Sequence, residues 1–492
     1  MKLLEVQNNQ LFNIDAIHFL GKDEFRNTVA VLMQNGNRMI ALTPIDKSDP
    51  QKIIAVLSDS SSSMIGVVGG DFSKGKLEFE SWANDFPQTH YFECELSENY
   101  GYVPVNHPWL RPVRKQNVIL GNKPYQFFKL EGEEIHEVAV GPIHAGVIEP
   151  GHFRFQCHGE LVYNLEINLG YQHRGVEKLF LQSSPNQQII LSESIAGDTT
   201  IGHTFAHCNA IECLSHTQLS LRAEVVRTIA SEIERIAMHL SGLGGIANDI
   251  GFALPASSYG RLRTLAINSL ASICGSRSGR GLFIYGGVRF DLNDEIINTV
   301  VNNLKIVQND VRQVNEYLFS SVGALSRLEE TGIVKKDLAQ NVGLVGLAAR
   351  SSGLEEDARI HFPYSAYRYN PISMITLSTG DVFARARLRA LEIDEALRFI
   401  FDQIENLPQG EIKSDIGNVT ANSGAISIIE GWRGEIAHIV FTDEKRNLLN
   451  YKIKDPSFNN WYGLSLALRE TAISDFPLCN KSFDLSYAGH DL

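Results

Sequence analysis

The sequence has little cysteine: six in 492 residues, and no two of them are spaced as C-x-x-C. They are Cys94, Cys157, Cys208, Cys213, Cys274 and Cys479. Cysteines scattered in this way indicate free thiols in a reducing compartment. A conventional iron–sulfur cluster needs four thiolates in recognisable groups, so we expect this chain to hold none by itself.

Long apolar runs and an excess of positive charge are also missing. No run of about 18 consecutive apolar residues occurs, so we predict no transmembrane helix. The N-terminal sequence MKLLEVQNNQLFNID is too polar for a signal peptide, and we expect the chain in the cytoplasm. The net charge of −13 argues against nucleic acid as a partner, because binding phosphates needs basic stripes.

The first part of the chain, to about Lys115, has an α+β pattern. Residues 28–34, 38–45 and 64–70 are strand-like, and residues 49–61 favour a helix that begins after Asp49. Residues 117–169 are again β-like, with turns predicted at Gly141-Pro142 and Pro150-Gly151.

The chain is mostly helical after Gly170. A long helix beginning near Thr217 is predicted from apolar residues at alternating spacings of three and four. These residues are Val226, Ile229, Ile233, Ile236, Leu240 and Leu243. A second helix is predicted over residues 381–403.

Residues 90–112, HYFECELSENYGYVPVNHPWLRP, resemble the end of the complex I 30-kDa subunit family. The matching positions are Glu93, Glu95, Gly101, His107, Pro108, Leu110 and Arg111.

Later motifs resemble the complex I 49-kDa subunit and the large subunits of energy-converting (group 4) [NiFe]-hydrogenases, including formate hydrogenlyase. The motifs are GPIHAGVIEPGHFRF (141–155), GYQHRGVEKL (170–179), ERIAMHLSGLGGIANDIGF (234–252), GDVFARARLRALEI (380–393), EGWRGEIAHIV (430–440) and KDPSFNNW (454–461). The resemblance implies an α+β fold: a 30-kDa-like domain over residues 1–118, then residues 119–492 with a small β-hairpin sheet and a large helical bundle.

The four nickel-binding cysteines of that family are missing here. The family carries two C-x-x-C pairs, and the corresponding positions are Ala196, Thr199, Ser486 and Gly489. Because a [NiFe] centre requires soft thiolate ligands, we predict that this chain is not an active hydrogenase. Quinone chemistry of the complex I kind is also in question, since the family's quinone-binding tyrosine falls at about Ile195.

Four residues are candidates for proton transfer or for lining the cavity that the resemblance implies. Glu177 matches the proton-transfer glutamate of hydrogenases, with a salt bridge to Arg174 or another cation as the structural alternative. His152 corresponds to the quinone-binding histidine of the hairpin, or is a turn residue. His203 matches a cavity position, although with His207 it could also form a metal-binding pair. Asp249 either lines the cavity mouth or caps the next segment.

Four further polar residues are assigned to structure or interfaces. Arg350 and Asp357 match family positions in a core polar network. Arg385 and Arg389 share one face of the later helix. In the family such arginines bind carboxylates, and surface or interface salt bridges are the alternative here.

The resemblance also implies partners. These are a complex I 20-kDa-like small subunit with a [4Fe–4S] cluster, a ferredoxin-like Fe–S subunit, and antiporter-like and anchor subunits in the membrane. The chain itself is expected to bind no cofactor and to attach peripherally to the inner face of the cytoplasmic membrane. Two hypotheses follow: a subunit that couples redox or proton events to ion translocation without nickel, or an inactive scaffold that assembles the complex.

Overall fold

The structure, a computed structural model, describes residues 3–115, 119–120, 123–144 and 148–492. The domain boundary predicted after residue 118 adjoins residues 116–118, outside the described residues, so it stays a prediction. The predicted fold class is confirmed, because the chain combines helices with several separate sheets.

The N-terminal part is built on a mixed sheet. Its elements are β1 (Leu4–Val6), β2 (Leu11–Asn13), β3 (Phe19–Gly21), α1 (Lys22–Gln34), β4 (Arg38–Pro44), β5 (Lys52–Asp59), β6 (Met64–Asp71), β7 (Glu78–Glu80), α2 (His90–Tyr100) and β8 (Val103–Val105). The strand order is β1-β6-β5-β4, and β3 adds to β6 in parallel. Strands β7 and β8 form a separate parallel pair.

Two sequence predictions in this part are wrong. Residues 28–34 lie in α1, because Phe25, Val29 and Met33 recur at helical spacing and pack inward together. Residues 52–59 form β5 and not a helix, since Ile53, Ile54 and the rest of that run fill a strand paired on both sides. A short apolar run of this kind is compatible with either structure until its neighbours are known.

The middle of the chain carries an antiparallel sheet and the start of the helical region. The strands are β9 (Ile119–Leu120), β10 (Lys123–Pro124), β11 (Ile135–Val140), β12 (His152–His158) and β13 (Leu161–Asn168). Strands β11-β12-β13 form one antiparallel sheet. The loop joining β11 to β12 is the predicted hairpin, and its residues 145–147 lie outside the described residues.

The helical bundle follows. Its elements are α3 (Val176–Gln182), α4 (Pro185–Ser192), α5 (Thr200–Leu214), α6 (Leu221–Asp249), α7 (Ala253–Cys274), β14 (Phe283–Ile284), β15 (Gly287–Val288), α8 (Asp294–Ser320), α9 (Val322–Leu328), α10 (Lys336–Asn341), α11 (Gly346–Ser351), α12 (Ala358–His361) and α13 (Val382–Glu405). Both predicted long helices are present, as α6 and α13. Helix α6 starts at its N-cap Ser220, whose hydroxyl accepts from the Ala223 amide, a few residues later than predicted.

The predicted apolar face of α6 is buried, and so is most of its polar face. Glu232, Glu234 and Arg235 are all at most 5% exposed, because α6 is surrounded by other elements rather than lying on the surface. Burial on all sides forces these charged groups to pair inside the protein.

The C-terminal part of the chain contains both strands and helices. It contains β16 (Ser423–Glu430), β17 (Glu435–Thr442), β18 (Leu448–Lys454), α14 (Pro456–Ala467), α15 (Phe476–Phe483) and α16 (Tyr487–Asp491). The sheet order is β18-β17-β16-β2, so a strand from residues 11–13 completes a sheet made from residues 423–454. None of the described helices is long and apolar enough to cross a bilayer.

Candidate functional site

The two segments that the resemblance aligns with nickel-binding motifs lie side by side, joined by Arg174. Its guanidinium donates to the carbonyls of Ser194 (2.5 Å) and Ile195 (2.8 Å) and to that of Ala488 (3.1 Å). Arg174 therefore connects the loop before α5 with α16, and it does not pair with Glu177. The resemblance places its two cysteine pairs in these same two segments.

The Thr199 hydroxyl makes three hydrogen bonds, which leave no lone pair for a metal ion. Its Oγ1 accepts from Nη1 of Arg433 and from Nε1 of Trp432, both at 3.1 Å, and it donates to Asp198 at 3.3 Å. Arg433 also pairs with Asp198 at 2.6 Å. Ala196, the other position in this segment, is fully buried and offers no donor atom.

In the second segment, around Ser486 and Gly489, a carboxylate fills the space beside the backbone. Ser486 is the N-cap of α16, and its hydroxyl accepts from the Gly489 amide at 2.8 Å. A Cβ on Gly489 would lie 2.6 Å from the carboxyl carbon of Asp455. The space that a side chain at position 489 needs is thus filled by Asp455, whose side chain is fully buried. The residues present at all four positions do not fit a [NiFe] centre.

Asp455 begins a chain of buried hydrogen-bonding groups. Its Oδ2 lies 3.0 Å from Nε2 of His203, whose Nδ1 lies 3.2 Å from Nε2 of His438. Nδ1 of His438 lies 2.8 Å from the Tyr451 hydroxyl, which lies 2.6 Å from Nδ1 of His207.

The chain of groups ends at Tyr285, towards the outside of the protein. Nε2 of His207 lies 2.8 Å from the Tyr285 hydroxyl, which also lies 3.0 Å from the carbonyl of Pro185. Tyr285 is only partly buried. We call the groups from Asp455 to Tyr285 the relay; its other members are His203, His438, Tyr451 and His207.

The ionisation state of Asp455, at the buried end of the relay, determines where the protons of the relay lie. Burial by itself would raise the pKa of Asp455, but the hydrogen bond from His203 and the charge of Arg433 hold that pKa below its usual range. Ionised Asp455 can only accept, so Nε2 of His203 carries a proton and each following group donates towards Asp455. Burial also lowers the pKa of His207 to about 3, which keeps its imidazole neutral.

The relay excludes the zinc alternative for His203 and His207. The two side chains do lie on one face of α5, as predicted. However, all four of their ring nitrogens are engaged by Asp455, His438, Tyr451 and Tyr285. No ring nitrogen remains for a metal ion that both histidines could share.

A cavity of about 440 Å³ borders the loop before α5. Gly197 and Asp198 line it together with Glu234 of α6, and Arg263, Arg277 and other residues complete the wall. Burial raises the pKa of Glu234 to about 8, even though its carboxylate accepts from the amides of two residues at the start of α5. A neutral carboxylic acid at pH 7 therefore faces the loop before α5. A larger cleft of about 750 Å³ lies elsewhere and contacts none of the predicted site residues.

Glu177, in the first turn of α3, is part of an ionic network. Its carboxylate accepts from Nζ of Lys452 at 2.9 Å and lies 3.7 Å from Nζ of Lys47. Lys452 also pairs with Glu95 of α2 at 2.5 Å. Burial would raise the pKa of Glu177, but Lys452 and Lys47 hold it at about 2, so Glu177 stays ionised.

Neither His152 nor Asp249 is hydrogen-bonded to a residue of the relay. His152 begins β12, where Nδ1 lies 3.3 Å from the carbonyl of Gly141 and the ring packs edge-on against Phe127. Asp249 is exposed and ends α6, as predicted, but it caps nothing: α7 follows Phe252 without a side-chain cap.

The predicted structural residues are buried in two groups. Arg350 pairs with Glu392 (2.6 Å), Glu430 (2.7 Å) and Asp357 (3.3 Å), which is a core ionic network. Arg385 and Arg389 instead bind the C-terminal segment: Arg385 donates to the Ser482 hydroxyl at 2.8 Å, and Arg389 to a neighbouring carbonyl.

The resemblance implies carboxylate partners for Arg385 and Arg389, but the hydrogen bonds of these side chains go to other groups. Arg385 also donates to the carbonyls of Gly332 and Gly380, and Arg389 also donates to the carbonyl of Arg385 in the same helix. Only Ser482 and Phe483, among these acceptors, belong to α15.

Sequence reasoning missed several residues of the site, namely Asp455, His438, Tyr451 and Glu234. Three of them stand inside the motifs that carry the resemblance. The available signal was a polar side chain inside an apolar stretch, as His438 is between Ile436-Ala437 and Ile439-Val440-Phe441 of β17. Such a group must find a buried partner, and the sequence does not say which. Tyr451 carries no such signal, because Asn450 and Lys452 flank it in β18.

Comparison with known proteins confirms the predicted resemblance. Residues 249–425 match the family described as the respiratory-chain NADH dehydrogenase 49 kDa subunit. The chain is 28% identical over 440 residues to formate hydrogenlyase subunit 5 of Escherichia coli (strain K12), covering 85% of this chain and 77% of that protein.

Two further relatives represent the hydrogenase side and the complex I side of the resemblance. One is the membrane-bound hydrogenase subunit alpha of Pyrococcus furiosus, 27% identical over 364 residues, 71% of this chain and 85% of that protein. The other is the C/D subunit of NADH-quinone oxidoreductase from Bacteroides thetaiotaomicron, 27% identical over 407 residues, 74% of this chain and 75% of that protein. The relatives are thus subunits of membrane-bound hydrogenase and complex I-like complexes.

Proposed function

We propose that this chain is the large subunit of the peripheral arm of a membrane-bound, complex I-like, ion-translocating oxidoreductase. It frames a cavity beside a partner's Fe–S cluster and holds no [NiFe] centre. The observation that carries the proposal is the Asp455 carboxylate packed against Gly489, because it puts an acid-base group where the hydrogenase relatives place a thiolate.

The chain's own contribution is the movement of protons. When Asp455 is ionised, every group of the relay donates towards it, and the Tyr285 hydroxyl donates to His207. When a proton from the surface binds the Tyr285 oxygen, each group passes its own proton to the next group, and the last proton passes from Nε2 of His203 to Asp455. Every hydrogen bond then points outwards, and Tyr285 donates to the Pro185 carbonyl. This shift carries one proton from the surface to Asp455, and the reverse shift carries one from Asp455 to the surface, without leaving any buried imidazole charged. Neutral Glu234 is a second proton donor, on the cavity wall.

The proposed partners are those that the family resemblance implies. They are a small Fe–S protein with a [4Fe–4S] cluster, a ferredoxin-like Fe–S protein, and antiporter-like and anchor proteins that attach the arm to the inner face of the cytoplasmic membrane. The small Fe–S protein supplies the electron, and this chain supplies the proton.

Purification of the intact complex through a tag on this chain tests the proposal. We expect electron flow linked to quinone or ferredoxin, ion uptake into membrane vesicles, and no stoichiometric nickel. The Tyr451→Phe complex should assemble and lose most of its ion uptake, because phenylalanine interrupts the relay. The control Tyr163→Phe, at a half-exposed position of β13, should behave like the parent.

Two results would overturn this function. Nickel bound in equal amount to the chain, with hydrogen evolution, would make the protein a hydrogenase. An assembled complex with no electron flow from any donor would leave the alternative, a scaffold that only assembles the complex.

A further inference from the structure

One cluster of metal-binding side chains lies outside the site described above. His90 and Cys94 are four residues apart on α2, so their side chains share one face. His107 follows β8 and approaches the same face. Among the residues that the structure describes, these three bring ligand atoms within 4.8 Å of one another, and His90 and Cys94 are buried.

The spacing suits a small cation. Sγ of Cys94 lies 4.0 Å from Nδ1 of His90 and 3.9 Å from Nε2 of His107. In a tetrahedral zinc site, with bonds of about 2.3 Å to sulfur and about 2.0 Å to nitrogen, the sulfur and nitrogen ligands are about 3.5 Å apart and two nitrogen ligands about 3.3 Å apart. Each Sγ–N distance therefore has to shorten by about 0.4–0.5 Å, and the two imidazole nitrogens, which lie within 4.8 Å of each other, have to approach to about 3.3 Å.

The His90 imidazole is also buried with few hydrogen-bond partners. It is 4% exposed, and its Nε2 has no hydrogen-bond partner, while Nδ1 has only the weak contact with the Cys94 sulfur. A buried imidazole with so little bonding is costly, because its polar nitrogens have lost water without replacement. Coordination of Nδ1 by a metal ion would replace its weak contact with sulfur by a strong bond, while Nε2 would stay without a partner.

We propose that His90, Cys94 and His107 form a zinc site that holds α2 against the segment after β8. One thiolate and two neutral imidazoles form a donor set that favours a borderline-soft divalent cation over magnesium or calcium. The three protein ligands leave one coordination position for water.

The surroundings are compatible with such a site. Burial lowers the pKa of His107 to about 4, so its imidazole is neutral at pH 7. Burial raises the pKa of the Cys94 thiol to about 12, and zinc must displace that proton on binding. The Trp109 amide donates to Nδ1 of His107 at 3.1 Å, and this contact is lost when Nε2 binds the metal. One neutral hydrogen bond is a small loss beside the binding free energy of a zinc–thiolate site.

The experiment uses the full chain, stripped with a chelator and titrated with Zn²⁺ and with Co²⁺ as a spectroscopic probe. We expect one zinc per chain, a sulfur-to-cobalt charge-transfer band, and protection of Cys94 from alkylation by zinc. Cys94→Ser and His107→Gln should each weaken zinc binding by about tenfold or more, while melting like the metal-free parent.

Cys274→Ala is the matched control, because the hydrogen bonds of that half-buried thiol go to backbone carbonyls near the end of its own helix. It should bind zinc as the parent does. Zinc that stays bound to Cys94→Ser, or a parent that takes up zinc and cobalt without the charge-transfer band, would overturn the site. Copper retained by these residues in place of zinc would overturn the choice of metal. If Cys94→Ser fails to fold, the cobalt band and the alkylation pattern of the parent decide.

Discussion

The carboxyl carbon of Asp455 lies 2.6 Å from where a Cβ on Gly489 would stand. Real Cβ atoms do not approach so closely, so position 489 accepts only glycine while Asp455 keeps its place. Asp455 in turn is held by the Ser457 amide and by His203, at 2.8 and 3.0 Å.

Gly489→Ala should therefore destabilise the protein. We expect overpacking to lower the free energy of unfolding by about 1–3 kcal/mol, measured from the midpoint of urea unfolding. Gly260→Ala is the control, since Gly260 is exposed on α7 and a Cβ there meets no atom within 4 Å. It should be neutral or stabilise the helix by up to about 1 kcal/mol. Equal effects of the two variants would contradict the close packing.

Glu234 should make stability fall as the pH rises. Its pKa is about 8 in the folded protein, against 4.5 for the ordinary side chain, so the folded state binds the extra proton between these values. Stability then decreases with pH across that window, by up to about 1.4 kcal/mol per pH unit. Glu234→Gln should flatten this dependence in urea unfolding at several pH values. The infrared carbonyl band of a protonated carboxyl at pH 7 should also disappear. Parallel pH curves for the two proteins would show that Glu234 is ionised.

Tyr451→Phe should remove the centre of the relay. Nδ1 of both His438 and His207 would lose the phenol that lies 2.8 and 2.6 Å away. Leaving buried nitrogens unsatisfied costs about 1–3 kcal/mol. We expect that loss in urea unfolding and a change in the ¹⁵N shifts of both imidazoles. Tyr163→Phe should change neither, and unchanged shifts in Tyr451→Phe would mean that the relay is not connected in solution.

Glu177→Gln should affect stability and not proton transfer. The substitution removes the charge that pairs with Lys452 and Lys47, and we expect a loss of about 1–3 kcal/mol. Because the pKa of Glu177 is held at about 2, its contribution is present above pH 4.5 and is lost as the pH falls towards about 2. Ion uptake by an assembled Glu177→Gln complex should stay near the parent rate. A large loss of uptake without destabilisation would instead favour the proton-transfer role that the resemblance implies.

The sequence by itself determined the class of fold, and the family resemblance predicts that the nickel ligands are missing. Long helices such as α6 and α13 follow from the local spacing of apolar residues, and the positions that the resemblance aligns with the cysteines are Ala196, Thr199, Ser486 and Gly489. Short apolar runs were ambiguous: residues 28–34 were predicted as a strand and form a helix, and residues 52–59 were predicted as part of a helix and form a strand, because so short a run fits either structure until its neighbours are known.

Only the tertiary structure decided which residues meet in the relay. Its members come from distant parts of the chain: Asp455, His203, His438, Tyr451, His207 and Tyr285. The proposed zinc site likewise depends on His107 returning to the face of α2 that carries His90 and Cys94. A side chain's polarity shows that it needs a partner when buried, but only the packing of helices and strands selects which partner it meets.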